Sequence, residues 1–308
     1  MKILFCGLGS IGSRHIKNLA SVLNERKIDF QIDAVRSSDR ALKDDVAPLV
    51  KNSYKSVSEI DGEYDVAFVT NPTSLHEATV RELSPIARDM FIEKPVFGDT
   101  AVDINSLGLK KGGVYYVACP LRHTPVVKRL HEFCVNEKPV AVRAICSSYL
   151  PDWRKGTDYR ECYSAKKELG GGVVLDLIHE WDYLTWLLGF PEGVCSVSGK
   201  RSSLEITSDD VAVYVADFGK TLLTLQLDYI GAVPQRSCEL YFDGEVVKGD
   251  IINRAVLFLK KGAVEEYPAE DFYINEMNYF IDCVLERKSD NMNTVGNALR
   301  VLRTATEE

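Results

Sequence analysis

Two groups of residues in this 308-residue chain have the types and neighbours needed to move protons or steady charge. The first is Glu93-Lys94-Pro95, directly after the apolar run Met90-Phe91-Ile92. Pro95 lacks a backbone donor and restricts Lys94 to extended conformations. The step therefore reads in two ways. Either the ammonium is aimed off the end of a sheet, where it stabilises a developing negative oxygen, or Glu93 and Lys94 form a surface pair of little consequence. The second group follows Gly170-Gly171-Gly172. Val173, Leu177, Trp181, Leu184 and Leu188 recur at helical spacing, and Asp176, His179, Glu180 and Tyr183 fall on another face. A histidine exchanges protons near neutral pH, and a carboxylate one turn away orients it. His179 reads as a general acid or base with Asp176 as its partner, against a satisfied structural histidine; Glu180 or Asp182 is an alternative source of the carboxylate.

A third stretch bears on what these groups would act upon. Residues 151–164 form a long loop rich in aromatic and charged side chains, with Trp153, Arg154, Tyr159, Arg160 and Tyr163 among them. A loop of this length is commonly functional. Aromatic faces beside arginines suit a sugar ring carrying anionic groups. The bland alternative is a packed surface loop.

Positioning such groups takes a scaffold, and the amino-terminal end describes one. Lys2-Ile3-Leu4-Phe5-Cys6 is an apolar run of strand length, followed by Gly7-Leu8-Gly9-Ser10-Ile11-Gly12 and then by Ile16, Leu19, Ala20 and Leu23 at helical spacing. Strand, G-x-G-x-x-G turn and helix in that order suit a dinucleotide. Gly7 makes the tight turn, Gly9 admits the pyrophosphate, and Gly12 lets helix and strand pack. Ser10 and Ile11 open the helix, whose N-terminus favours phosphate. The next strand, Phe30–Val35, ends in Arg36-Ser37-Ser38, with Arg40 nearby. A cation and two hydroxyls suit the 2′-phosphate of NADP, whereas NAD favours a carboxylate there. Asp33 lies inside the strand. NADP is thus preferred, with NAD possible. Further on, strand Asp65–Thr70 runs into Asn71-Pro72 at a carboxyl end, where ligands bind in open α/β sheets. Ser74 and Glu77 read as a capping box, placing His76 in the first turn of a helix as a cofactor contact or a local structural residue.

The phrase from Gly7 to His15, the turn Thr70-Asn71-Pro72 with His76, and Glu93-Lys94-Pro95 together resemble the glucose–fructose oxidoreductase / inositol dehydrogenase / MocA (Gfo/Idh/MocA) family. The resemblance implies that Lys94 reaches nicotinamide and the substrate hydroxyl, that Glu93 supports it, and that the Lys94–Pro95 peptide adopts the cis form. It implies an α/β fold: an N-terminal Rossmann doubly wound parallel sheet over residues 1–120, and a C-terminal α+β domain over 121–308 with a large, mainly antiparallel open sheet for substrate binding and oligomerisation. Arg122 and His123 would lie at the junction, Arg122 as a substrate contact. The family pattern D-x-G-x-H is departed from, since Asp176 and His179 stand three apart without the glycine. The implied reaction is hydride transfer between nicotinamide and a carbinol carbon of a sugar derivative, anionic or nucleotide-linked. Redox-assisted epimerisation or elimination, a non-catalytic NADP-binding regulator, and an interaction protein retaining the fold are the rivals.

The bulk properties set outer bounds. A net charge of −8 provides no basic field for nucleic acid or an anionic membrane, and no apolar run is long enough to span a bilayer. The first six residues read as a strand, not a secretory signal. The eight cysteines include no C-x-x-C pair, so neither zinc nor a thioredoxin-like site is expected. No metal, a cytoplasmic setting and a homo-oligomer, dimer or tetramer, complete the expectation. Beyond residue 194 the periodicity becomes two, with strands at 211–218, 221–229, 238–242, 245–247 and 255–259, and helices at about 276–285 and 295–303.

Overall fold

The computed structural model describes residues 1–38 and 40–306. Its first sheet is built from β1 (Lys2–Cys6), β2 (Gln31–Val35), β3 (Val50–Tyr54), β4 (Tyr64–Val69), β5 (Ala87–Ile92) and β6 (Tyr115–Val117), with helices α1 (Ser10–Glu25) and α2 (His76–Leu83) in the crossovers. All pairings are parallel and the order is β3-β2-β1-β4-β5-β6, the doubly wound arrangement that puts ligands beyond the carboxyl ends of its strands. The register sets Phe5, Phe68, Phe91 and Tyr116 side by side across the central strands. Phe5 stacks on Phe68 at 4.3 Å and Phe68 on Phe91 at 5.2 Å between ring centroids. The edge strand β3 is mostly exposed, and its weak apolar pattern hides it from a periodicity reading.

The second sheet follows α3 (Pro125–Asn136). Its strands are β7 (Ala141–Tyr149) and, after the short helices α4 (Val173–Asp176) and α5 (His179–Leu188), β8 (Gly193–Gly199), β9 (Val211–Asp217), β10 (Leu222–Asp228), β11 (Ile230–Phe242), β12 (Glu245–Asp250), β13 (Ala255–Phe258) and β14 (Ala263–Glu266). The order is β14-β13-β12-β11-β7-β10-β9-β8, antiparallel except where β10 meets β7. Leu223, Leu225 and Leu227 share one buried face with Ala212, Tyr214 and Ala216 of β9, and Trp181 of α5 meets Tyr214 edge-on. The opposite face leaves Val197, Val213, Val215 and Leu222 exposed.

The chain forms two compact units. One comprises Met1–Ala118 with Asp271–Leu299; the other runs from Cys119 to Glu270 and resumes at Arg300. A continuous second domain over 121–308 is therefore corrected. Helix α6 (Phe272–Glu286) belongs with the first sheet, where Phe280 packs edge-on against Phe68 and Phe91 and Arg26 of α1 donates to Asn278 and Asp282. The segment leading to α7 (Val295–Thr306) covers the β6 edge: Val117 and Asn293 exchange hydrogen bonds, and Asn291 donates to the Tyr115 carbonyl. Covered edges do not template further pairing.

Within the second unit, Arg122 is 4 % exposed and donates through Nε and Nη2 to both oxygens of Asp182 at 2.9 and 2.8 Å. A bidentate pair in this setting ties the turn before α3 to α5. Arg122 is accordingly a structural ion-pair partner rather than the substrate contact expected from sequence, because burial demands that its charge be met within the protein. Asp182→Ala, which strands the buried guanidinium, lowers unfolding stability by about 3–5 kcal/mol in chemical denaturation followed by circular dichroism; a loss under about 1 kcal/mol contradicts this account.

Candidate active site

The glycine turn has the shape that its spacing suggests. Gly7 has φ +99°, and a Cβ there would stand 2.7 Å from the Asn71 amide nitrogen. A Cβ on Gly12 would collide with the Gly7 carbonyl oxygen and approach Thr70 Oγ1. Thr70 closes the same contact from β4, donating to the Gly7 carbonyl at 2.6 Å. Both glycines are thus required by the protein's own packing. Gly9 differs: a Cβ there meets no atom of the described residues within 4 Å. It forms the N-cap of α1 without a side-chain cap, and no acidic residue occupies the first turn. Gly9 and Ser10 are exposed. Space, uncapped N–H groups and a positive helix end fit a pyrophosphate, and Gly9, Ser10, Ile11 and Gly12 would hold it.

At the end of β5, Glu93 is 7 % exposed. Its Oε1 lies 2.5 Å from Nε2 of the fully buried His15, and its Oε2 accepts the Lys94 amide at 3.1 Å. Burial pushes the Glu93 carboxyl up, but the His15 hydrogen bond and charge, with Lys94, outweigh it and hold the carboxyl below the ordinary glutamate range. The Lys94–Pro95 peptide is cis. His76 is 1 % exposed, with Nδ1 3.0 Å from the Pro95 carbonyl and Nε2 3.0 Å from that of Asn71. Burial lowers its pKa despite those carbonyls and the Glu93 charge. As a cofactor contact His76 is corrected: its ring links the turn after β4 to the segment after Lys94. The capping box is corrected too, for α2 begins at His76 with no side-chain cap, and Glu77 pairs with Arg81.

At the adenosine end, the Arg36 guanidinium donates to the Arg40 carbonyl and the Arg40 amide to Ser38 Oγ at 3.2 Å. Ser37 and Ser38 are exposed. Asp33 is withdrawn into the fold, accepting from Tyr64 Oη and Asn52 Nδ2, each at 2.9 Å.

In the second unit the expected helix through 173–188 is broken between α4 and α5 at Leu177 and Ile178. Gly172, at φ +117°, would place a Cβ on the Asp209 carboxylate, which accepts the Val174 amide at 3.1 Å. His179 opens α5 and is half-buried, and Asp176 closes α4. Asp176 Oδ2 accepts from Ser164 Oγ at 2.5 Å and from Tyr229 Oη at 3.1 Å. Glu180 faces Arg236 at 2.6 and 2.9 Å, and Asp182 faces Arg122. Neither serves as the alternative carboxylate, since each already neutralises a guanidinium. His123 is 3 % exposed, with burial, Lys128 and Arg122 pushing its pKa down to about 3.

The loop over 151–164 is ordered by single 3₁₀ turns. A pocket there is lined by Trp153, Arg154, Thr157, Tyr159, Cys162 and Ser164, among others. The candidates divide. Arg160 is engaged by Asp158 and Glu205, and Tyr163 Oη donates to the Gly170 carbonyl, so both serve the loop itself. Tyr159 Oη accepts the Glu205 amide. Trp153 donates to Ser148 Oγ and meets Tyr229 edge-on. The Arg154 carbonyl accepts the Thr157 amide at 3.2 Å, but its guanidinium has no ion pair or hydrogen bond among the described residues. Sequence reasoning overlooked His15, Ser164 and Tyr229. The signal for His15 was a histidine one step before Ile16 on the apolar face of α1; the other two gave none.

Comparison with known proteins identifies the family. Residues 1–112 match the oxidoreductase family with an NAD-binding Rossmann fold, and residues 135–247 match the Gfo/Idh/MocA C-terminal domain. The chain belongs to the Gfo/Idh/MocA family of oxidoreductases. An uncharacterized oxidoreductase of Bacillus subtilis (strain 168), YrbE, is 23% identical over 224 residues, covering 69% of this chain and 62% of the relative, so the match spans under two thirds of that protein. Among solved structures, UDP-N-acetylglucosamine 3-dehydrogenase GnnA from Acidithiobacillus ferrooxidans has a TM-score of 0.78 at 19% identity, covering 99% of this chain and 95% of that one. The WlbA dehydrogenase from Bordetella pertussis, in complex with NADH and UDP-GlcNAcA, has 0.79 at 18%, covering 99% and 94%. As a member of this family the chain carries a nicotinamide dinucleotide site in its first unit. No helix among the described residues is long and apolar enough to cross a membrane.

The glycines separate two kinds of requirement. Gly9→Ala leaves the melting temperature unchanged and weakens dinucleotide binding tenfold or more, measured by fluorescence titration. Gly12→Ala destabilises by about 3 kcal/mol. Equal loss of stability in both variants contradicts the distinction.

Proposed function

We propose that this Gfo/Idh/MocA protein transfers a hydride between NADP(H) and a carbinol carbon of a sugar derivative bearing an anionic or nucleotide group. The observation that carries the reading is the end of β5. There Lys94 leaves the sheet at the same carboxyl edge as the glycine turn, two strands away from β1, its backbone held by the buried Glu93. When bound, the nicotinamide supplies the hydride acceptor or donor. Lys94 steadies negative charge on the substrate oxygen as the C–H bond changes. His179 takes the hydroxyl proton in oxidation and returns it in reduction, with Asp176 beside it in sequence, held by Ser164 and Tyr229. Gly7 to Gly12, Thr70, Asn71 and Pro72 shape the dinucleotide's surroundings. Arg36, Ser37 and Ser38 favour the 2′-phosphate, since the strand end offers a guanidinium while Asp33 is already consumed by Tyr64 and Asn52. Arg154, with Trp153 and Tyr159, recognises the substrate's anionic group. The substrate class draws support from GnnA, a UDP-N-acetylglucosamine 3-dehydrogenase, and from the UDP-GlcNAcA complex of WlbA. The exposed valines of β8 and β9 suit self-association in a homo-oligomer.

A panel of sugars, sugar acids and nucleotide sugars with NADP or NAD, followed by nicotinamide absorbance, tests the activity. On a turned-over substrate, Lys94→Ala lowers kcat by about 10²–10³ and His179→Ala by about 10²–10⁴; rates within threefold of wild type in either variant remove the mechanism. Arg36→Glu lowers NADP affinity by tenfold or more while leaving NAD affinity unchanged or improved. A wild-type preference for NAD refutes the role given to Arg36. Val213→Lys shifts the mass in light scattering from oligomer toward monomer, and a monomeric wild type overturns that assignment.

A further inference from the structure

We propose that His15 is a positioning residue for the reaction: its Nε2–H holds and orients the Glu93 carboxylate, which in turn fixes the backbone at Lys94. The inference rests on reading Lys94 as the group that meets the substrate oxygen.

The argument begins with two costs. His15 is fully buried on α1, and its Nδ1 has no hydrogen-bond partner among the described residues. An unmet buried polar atom is a cost to folding. The ring lies 4.8 Å from that of Phe91 and 6.1 Å from that of Tyr273, centroid to centroid, surroundings in which an apolar side chain would pack without that penalty. Glu93 is the second cost, a carboxylate at the end of a buried strand. Packing alone selects neither residue. Together they form a chain of contacts that ends on the Lys94 amide: His15 Nε2 lies 2.5 Å from Glu93 Oε1, and Glu93 Oε2 accepts Lys94 N–H at 3.1 Å. The carboxylate only accepts, so Nε2 is the donor.

The placement of His15 adds a second argument. It stands three residues after Gly12, so the helix whose first turn faces the dinucleotide phosphates also grips the strand end that carries Lys94. Register between cofactor and lysine is then set by one rigid element. The charged and titratable groups that bear on Glu93 are His15 of α1, Lys94, and His76 of α2. Arg14 of α1 lies over the Tyr273 ring, 4.5 Å from its centroid, on the α6 side of His15. Loss of the His15 donor removes the largest influence that opposes the burial of Glu93, so the carboxyl then protonates at higher pH.

The test uses full-length protein with carbon-13-labelled glutamate carboxyls, the Glu93 resonance being assigned by its absence in Glu93→Gln. In His15→Phe and His15→Asn, the first apolar and the second too short to reach, the Glu93 midpoint rises by about one pH unit or more. In His15→Gln, whose amide replaces the donor, it returns toward wild type. On a turned-over substrate, kcat falls tenfold or more in the first two variants, KM for the dinucleotide stays within threefold, and the acid limb of the kcat profile moves up with the Glu93 midpoint. If His15→Phe does not fold, His15→Asn decides. An unmoved midpoint overturns the proposal. So does a moved midpoint with kcat unchanged, or a loss of stability and dinucleotide affinity that His15→Gln fails to rescue. Should wild type turn over nothing in the panel, the functional reading fails, and the titration alone decides whether His15 holds Glu93.

Discussion

A carboxylate withdrawn from water must be met by donors inside the protein, and in the first unit that requirement falls on Glu93. Left alone, a buried carboxylate would neutralise by shifting its pKa upward. Instead it stays below the ordinary range because His15 and Lys94 meet it. Meeting it constrains the rotation of α1 about its axis, since His15 must face β5. The same rotation brings Gly12 against the Gly7 carbonyl, where any Cβ would collide. The glycine turn and the lysine-bearing strand end are therefore solutions to one packing problem. His76 adds a tie from the other side, lying between the carbonyls of Asn71 and Pro95. Three strand ends, those of β1, β4 and β5, are fixed against one another before any ligand arrives, which is the preorganisation that electrostatic stabilisation needs.

The second unit obeys the same rule with a different outcome. The stretch 176–182 carries three acidic side chains, and two of them, Glu180 and Asp182, face arginines from distant segments. Such pairs hold elements in register more than they add stability, because desolvation offsets most of their attraction. Asp176 instead accepts from two hydroxyls, Ser164 and Tyr229. Hydroxyls orient a carboxylate by donating to it. Placed at the break between α4 and α5, next to His179 in the chain, this group retains the polar character that a proton-exchanging site draws on.

What was legible in the sequence was local. The glycine fingerprint, the apolar strands β1, β4 and β5, and the alternation of Leu223, Leu225 and Leu227 are patterns within a few residues, and periodicity reads them directly. What stayed hidden depends on partners far apart in the chain. Arg122 finds Asp182 sixty residues on, His15 finds Glu93 seventy-eight residues on, and α6 packs on a sheet that ends more than 150 residues before it. No local pattern shows whether an arginine meets a ligand or a buried aspartate. The Ser74–Glu77 motif failed because a 3₁₀ turn, Thr73–Leu75, precedes α2, which begins only at His76, and because Glu77 pairs with Arg81 instead.

The loop over 151–164 shows how composition misleads where geometry does not. Its two arginines are equivalent in sequence, yet they differ in free energy as anion receptors. For Arg160 to bind a ligand anion it must first give up Asp158 and Glu205, or share them, and the exchange of one carboxylate for another yields little. Arg154 lines the pocket with nothing to surrender. On the proposed reading, an anion that reaches it displaces only water, with Trp153 and Tyr159 lining the same pocket. The Trp153 ring also touches Tyr229, whose hydroxyl donates to Asp176. On the proposed reading, a substrate pressing on the loop thus bears, through one aromatic contact and one hydrogen bond, on the carboxylate that neighbours His179. Recognition and chemistry in this unit then share a path two side chains long.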